Sequence, residues 1–118
     1  IKLLASHRST GSRLIVHGQE LMVEETTPDS FKGIDIAFIS VNTQLSGKLA
    51  PIALGQGALV IDDSSYFRMR PDVPLVVPEV NGGDVESHQG IIAIPNCSTT
   101  PVARTDCQRL CTSTEGDG

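Results

Sequence analysis

Short aliphatic runs alternate with polar stretches along this chain, and the breaks between them fall at turn-forming residues. Ile1 to Ala5 predicts a short buried strand, and Ser6 to Gly11 a polar turn. Arg13 to Val16 and Glu20 to Val23 predict paired strands joined around His17-Gly18-Gln19 as a hairpin. Thr26 to Lys32, which contains Pro28, is a polar connector. Ile34 to Ser40 is the clearest central strand. Leu45, Leu49, Ile52 and Ala53 recur near helical spacing, which predicts a helix over about Leu45 to Leu54 ended by Gly55 and Gly57. Ala58 to Ile61 is the next strand. Pro71 and Pro74 hold the following segment extended, with a short strand at Leu75 to Val77. Asp84 to His88 predicts a turn of helix before a strand at Ile91 to Ile94. No internal repeat is visible.

Strand, helix and strand in alternation predict an α/β domain with a mainly parallel sheet. Ligands of such sheets bind at the carboxyl ends of the strands. Those ends are Ser6 to Thr10, Ser40 to Thr43, Asp62 to Ser65 and Asn96-Cys97, and polar and reactive residues collect there.

Composition narrows the picture. A chain of 118 residues is one ordinary domain at most. With 39% hydrophobic residues it is globular rather than disordered, and with only 3% aromatic residues its core must rest on Ile, Val, Leu and Ala. Continuous aliphatic strands of that kind suit a buried parallel sheet. A net charge of −5, with no basic stripe, argues against nucleic acid as a partner. No apolar run reaches the length of a membrane span, and no basic segment followed by an apolar core marks a signal peptide. Cys97, Cys107 and Cys111 read as free thiols, and the expected compartment is the cytoplasm. Cys107 and Cys111 share a helical face but have no His or Cys partners, so no metal site is expected.

The candidate chemistry centres on Pro95-Asn96-Cys97-Ser98-Thr99, directly after Gly90-Ile91-Ile92-Ala93-Ile94. Cys97 stands at the end of a buried strand, where a helix can begin. Backbone N–H groups at a helix N-terminus favour negative charge, and the thiolate is the reactive form of cysteine. These residues leave two readings, a nucleophile or a small apolar residue packed after a strand. Arg8 and Ser9 follow the first strand. An Arg there in a dinucleotide fold can pair with the 2′-phosphate of NADP, where NAD readers place an acidic residue; a solvated Arg in a turn is the other reading. Arg68 by itself reads as a surface residue. Asp62, Asp63, Ser64 and Ser65 read as turn and strand-end residues.

Several of these segments carry a family pattern. They are Leu4-Ala5-Ser6-His7-Arg8-Ser9, Ile34 to Ser40, Asp62-Asp63-Ser64-Ser65 followed by Phe67-Arg68-Met69, Val77-Pro78-Glu79-Val80-Asn81, and Pro95-Asn96-Cys97-Ser98-Thr99. In this order and spacing, over about residues 1–100, the chain closely resembles the aspartate-semialdehyde dehydrogenases. Acetylglutamyl-phosphate reductases typically have Gly-Cys at the cysteine, and glyceraldehyde-phosphate dehydrogenases surround theirs with a different motif. The resemblance implies a partial Rossmann-like NADP-binding domain over residues 1–94, then the catalytic-cysteine motif at 95–100 and a polar tail to 118. It implies that Arg8, Ser9, Ser40 and Ser64 contact NADP, and that Arg68 binds the phosphate of the acyl phosphate or inorganic phosphate. It implies that Cys97 attacks the aldehyde carbon to give a thiohemiacetal. Hydride then passes to the nicotinamide, and phosphate releases the resulting thioester as acyl phosphate, with Asn96 supporting the carbonyl oxygen. Biosynthetic flux runs the other way, from aspartyl phosphate to the semialdehyde, toward lysine, threonine and methionine. Glu79 and Asn81 order the loop beside the site, and the family's subunits form homodimers or homotetramers.

The departures also create expectations. The family's glycine-rich first strand, turn and helix has no counterpart here, so a sheet edge should be unpaired. The catalytic histidine belongs to a later domain; His7, His17 and His88 each read as loop residues. At Ser40-Val41-Asn42-Thr43 the family's two glycines are replaced, which puts ordinary cofactor contact at this loop in question, and a helix cap by Asn42 or Thr43 is the plainer role. Pro101 to Gly118 does not continue the family's apolar helix and reads as a foreign or frame-shifted end. Two functional classes follow, a piece of the enzyme or a noncatalytic, subunit-binding remnant of it.

Overall fold

The structure, a computed structural model, describes residues 1–114, with side chains through Asp106. The sequence pattern resolves into three small sheets. Strands β1 (Leu4–Ala5) and β4 (Glu24–Glu25) pair in parallel. Strands β2 (Arg13–Val16) and β3 (Gln19–Met22) form an antiparallel hairpin. Strands β5 (Ile36–Ile39), β6 (Leu59–Asp62) and β7 (Ile91–Ala93) form a parallel sheet in the order β5-β6-β7. Helix α1 (Thr43–Gly55) connects β5 to β6. A short helix α2 (Pro78–Asn81) and a 3-10 segment (Gly82–Ser87) lead into β7, and α3 (Thr99–Thr114) follows it.

Local chemistry explains most of these boundaries. The hairpin closes through His17 and Gly18, both at positive φ (50° and 77°), as a two-residue turn matched to strand twist requires, so Gln19 joins the strand rather than the turn. Asn42 caps α1 by accepting from the Leu45 N–H at 2.9 Å. Its φ of −62° is ordinary, so this turn needs no left-handed residue. Gly57, at φ 91°, carries the chain out of the helix into β6. A 3-10 turn at Pro28–Phe31 is fixed by the Ser30 hydroxyl accepting from the Thr27 N–H at 2.8 Å, and it drives Phe31 into the core.

The core lies between α1 and the β5-β6-β7 sheet and includes Ala37, Ile39, Ala50, Ala53, Val60, Phe67 and Ala93. The buried face of α1 runs through Ser46, Ala50 and Ala53, while Leu49 and Ile52 flank it and Leu45 is 37% exposed. The expected face was centred on the large residues. Small side chains take the central line instead because they let the helix lie close on the sheet.

Three expectations need correction. The segment at Ile34 to Ser40 is not central: β5 is an outer strand of its sheet, and β6 takes the middle. Phe38 is 79% exposed and Ile36 51% exposed, because no described strand or helix covers that face. Leu75 to Val77 makes only an isolated bridge, Leu75 to Ala93, rather than a strand. The first strand is shortened to Leu4–Ala5 and is half-buried, with β4 as its one strand partner among the described residues. Between β1 and β5 lies a groove of about 840 Å³ lined by Ile1, Leu4, Phe31, Ile34, Ile36 and Phe38. Among the described residues the outer edge of β5 has no strand partner.

Gly90 offers a direct check of the packing of α1 on β7. It sits at φ 102°, and a Cβ there would run into Leu54. Gly90→Ala is expected to cost about 1–3 kcal/mol, read as a lower urea midpoint with an unchanged slope.

Candidate functional site

The carboxyl ends of β5, β6 and β7 carry most of the residues singled out from the sequence, Arg8 and Ser9 excepted, and hydrogen bonds tie these three ends together. Ser40, just after β5, donates to Asp63 Oδ2 at 3.2 Å, and Asp63 N–H donates to the Ile39 carbonyl at 2.9 Å. Thr43, in the first turn of α1, shares a hydroxyl contact with Ser65 at 3.1 Å. Arg68 closes the arrangement from the other side. Its Nη2 donates to the Asp63 carbonyl at 3.0 Å and its Nε to the Ile94 carbonyl at 2.8 Å. Two backbone acceptors therefore pin the half-buried Arg68, and one of them, Ile94, lies three residues before Cys97. This is more than the surface arginine that its local sequence suggests.

Cys97 is a free, exposed thiol in the turn between β7 and α3. The helix starts at Thr99, two residues beyond it. Asn96 organises this turn. Its carbonyl accepts from Thr99 N–H at 2.9 Å, and its Oδ1 accepts from Ser98 N–H at 3.0 Å, Ser98 Oγ at 2.9 Å and the Cys97 Sγ at 3.5 Å. The Oδ1 is thus committed to the turn, and the amide Nδ2 is what this side chain has to offer a substrate oxygen.

Ser64 is buried at 6% exposure; it donates to Asp62 Oδ2 at 2.7 Å and accepts from Tyr66 N–H at 3.2 Å. It faces inward among protein groups. Arg8 lies in an exposed 3-10 turn (His7–Ser9) directly after β1. It makes no ion pair with a described residue, and neighbouring Ser9 holds the turn through its backbone. No described hydrogen bond joins Arg8 or Ser9 to the Ser40, Arg68 and Cys97 group.

The loops around the site are well held. Asn81 accepts from Val77 N–H at 2.8 Å and donates to the Leu75 carbonyl and Asp84, each at 2.8 Å, ordering the segment as expected. Glu79 on α2 lies 4.0 Å from Arg104 on α3. The three histidines occupy loops. His7 lies 3.5 Å from Glu25, His17 forms the hairpin turn, and His88 Nδ1 accepts from Gly90 N–H at 3.0 Å.

Two residues after Arg68, the guanidinium of Arg70 grips Asp72 through two bonds of 3.1 and 3.0 Å. That hydrogen bonding holds the Asp72 carboxyl below its ordinary value and raises Arg70. The carboxyl is depressed in the folded state. Its contribution to stability is therefore present above the unfolded value and fades as pH falls through the lower folded one. Lys32 lowers Asp29 in the same way, through a 2.8 Å contact.

Among the described residues no three His, Cys, Asp or Glu side chains converge as a metal site, and no described helix is long and apolar enough to cross a membrane. The side chains of Cys107 and Cys111 lie outside the described residues. The segment read as a polar tail is helical from Thr99 to Thr114.

Residues 1–88 match the family described as semialdehyde dehydrogenase, NAD binding domain. The chain belongs to that family. It is 52% identical over 99 residues to an aspartate-semialdehyde dehydrogenase of Bacillus subtilis, covering 84% of this chain and 29% of that protein. It is likewise 52% identical over 100 residues to one from Aquifex aeolicus, covering 82% of this chain and 29% of the relative. Among solved structures, aspartate semialdehyde dehydrogenase II of Vibrio cholerae complexed with ASA superposes with a TM-score of 0.80 at 42% identity, over 84% of this chain and 33% of that one. The Candida albicans enzyme with NADP superposes with a TM-score of 0.71 at 27% identity, over 87% of this chain and 37% of that one. The chain thus spans about 30% of the length of the curated relatives it matches. The family and the Rossmann-like α/β fold expected from the sequence are both borne out, and the matched part is the family's nucleotide-binding domain.

Two features of this candidate site escaped the sequence. One is the pair of backbone acceptors for Arg68, which no spacing rule reveals. The other is Ser46, whose hydroxyl donates to the buried carboxyl of Asp62. A serine on the otherwise apolar buried line of α1, with Ala50 and Ala53, is its only signal.

Proposed function

We propose that this chain is the nucleotide-binding and nucleophile-bearing portion of a phosphorylating, NADP-dependent aspartate-semialdehyde dehydrogenase, working between aspartyl phosphate and aspartate semialdehyde. The observation that carries the reading is Arg68, held by the Asp63 and Ile94 carbonyls beside the segment that bears Cys97. A cation anchored there can hold phosphate oxygens against a carbon bound to Cys97 Sγ, and a guanidinium suits that task better than an ammonium. In the semialdehyde-forming direction the thiolate displaces phosphate from the acyl phosphate, giving a thioester and free phosphate, and Asn96 Nδ2 steadies the carbonyl oxygen.

When bound, NADPH would supply the hydride that reduces the thioester to the aldehyde, with NADP+ formed and the Cys97 thiolate released. The fit of this chain to it rests on Arg8, an exposed cation with no acidic partner among the described residues, set after a parallel strand where a 2′-phosphate can be read. The first turn of α1 adds N–H groups of Thr43 and Gln44 in front of the Asn42 cap, a surface suited to phosphate. Ser9 and Ser40 stand at the same strand ends; Ser64, turned inward, serves the cofactor only by shaping its loop. Assembly as a homodimer or homotetramer in the cytoplasm belongs to the whole enzyme.

The test is the alkylation rate of Cys97 by iodoacetamide in a Cys107→Ser, Cys111→Ser background, native and in urea, with NADP added in a separate titration. The reading expects faster alkylation in the native chain near neutral pH and saturable NADP binding. Equal rates together with no NADP saturation would instead identify a noncatalytic remnant.

A further inference from the structure

Asp62, the last residue of β6, has no exposed surface, and none of the ion pairs among the described residues involves it. Hydroxyl groups satisfy its carboxyl instead. Ser46 on α1 donates to Oδ1, and Ser64 donates to Oδ2 at 2.7 Å. Ser64 Oγ in turn accepts from Tyr66 N–H at 3.2 Å, at the head of Phe67-Arg68-Met69. The backbone of Asp62 reaches the other side of the site: its carbonyl accepts from Ile94 N–H at 3.0 Å, and the Ile94 carbonyl is the acceptor for Arg68 Nε.

Stability alone does not call for a carboxyl here. An apolar side chain beside Val60 and Ala93 would bury no polar group needing a partner, whereas removing only one member of the present trio strands the others. The Thr43 to Ser65 contact between α1 and this loop, and the Ser40 to Asp63 bond from the end of β5, are exposed and compete with water. The Asp62 trio is shielded, so it carries more of the positional constraint.

We infer that Asp62 is the positioning residue of Arg68: with Ser46 and Ser64 it ties the second turn of α1 to the loop bearing the guanidinium, and so sets Arg68 and the Cys97 segment against α1 as one unit. What Arg68 binds rests on the proposed function; its placement by Asp62 does not.

The experiment follows solvent exchange of the Arg68 Nε–H by NMR in the full 118-residue chain. Ser46 lies outside the loop, so its effect on Arg68 must pass through Asp62. Ser46→Ala is expected to speed exchange about fivefold to tenfold, the size of one lost buried hydrogen bond, and Asp62→Ala to speed it further. Asp62→Asn keeps an oxygen acceptor and offers amide hydrogens to a serine oxygen, so it should return exchange to near the wild-type rate. Val23→Ala, a buried truncation outside the main core cluster, is expected to leave Arg68 slow while lowering stability. Wild-type exchange in both Ser46→Ala and Asp62→Ala overturns the inference, as does equal acceleration in Val23→Ala, which would show general opening. Inorganic phosphate added to the wild-type chain reads the other assignment separately. A shift of the Arg68 Nε–H signal supports phosphate at Arg68. Its absence removes that ligand, while the dependence on Asp62 still stands on the exchange rates.

Discussion

Phe67→Ala is expected to cost about 3–5 kcal/mol, the range for emptying a large aromatic site in a core. Phe67 is 1% exposed, packs edge-on against Tyr66 with ring centroids 4.8 Å apart, and has the Arg70 guanidinium 5.8 Å above its ring. Domains of this size have about 5–15 kcal/mol of total stability. A loss of that size takes at least about a fifth of it and raises the unfolded population at least about a hundredfold. The consequence is local as well as global, because Phe67 precedes Arg68 in the chain and anchors the loop that the Asp62 carboxyl holds from its other end. Guanidinium unfolding of the wild-type, Phe67→Ala and Phe67→Leu chains checks this. Phe67→Leu keeps most of the volume and is expected to lose less than half as much. Equal losses would mean that ring shape, rather than filled volume, holds the loop.

Arg8→Ala is expected to weaken NADP binding by about 10- to 100-fold while leaving NAD binding within about twofold. That factor corresponds to the charge-assisted hydrogen bonds a guanidinium makes to a phosphate dianion. Arg8 is exposed, and no described acidic residue shares its charge, so truncation strands no partner and should leave the fold unchanged. Calorimetric titration of both nucleotides against both chains measures the ratio directly. A parallel loss for NAD and NADP would move Arg8 from reading the 2′-phosphate to a general role in attraction. Arg8→Glu is expected to favour NAD outright, since a carboxylate repels the 2′-phosphate and accepts from a 2′-hydroxyl.

Much of this architecture was legible before any coordinates because its signals are local. The hairpin follows from two aliphatic runs around His17-Gly18, a dipeptide able to take positive φ. The cap, read as Asn42 or Thr43, follows from polar side chains just ahead of the helical pattern at Leu45 to Leu54, and Asn42 supplies it. Cys97 at the mouth of a strand-to-helix turn follows from an apolar run ending in Pro-Asn-Cys-Ser-Thr. What misled was reach. Ile34 to Ser40 read as central because Ile36 to Ile39 is an unbroken apolar run, yet burial of both faces depends on which neighbours arrive. Here β6 and α1 cover one edge and one face of β5, and Phe38 and Ile36 stay open.

The site divides along the same line. The order of motifs determines that Ser40, Asp62 to Ser65 and Asn96-Cys97 all fall at the carboxyl ends of parallel strands, because in a parallel sheet every strand points the same way and its successor residues gather at one edge. That inference needs only chain direction and strand periodicity. Tertiary structure decided what those residues do to one another. Arg68 became anchored because the Asp63 and Ile94 carbonyls, 31 positions apart in sequence, converge on it. Asp62 became a buried hub because α1 crosses β6 with Ser46 facing down. A hydrogen bond between distant residues has no signature in either residue alone. Its free energy comes from desolvation and alignment, which exist only after the sheet, the helix and the loop have closed on one another.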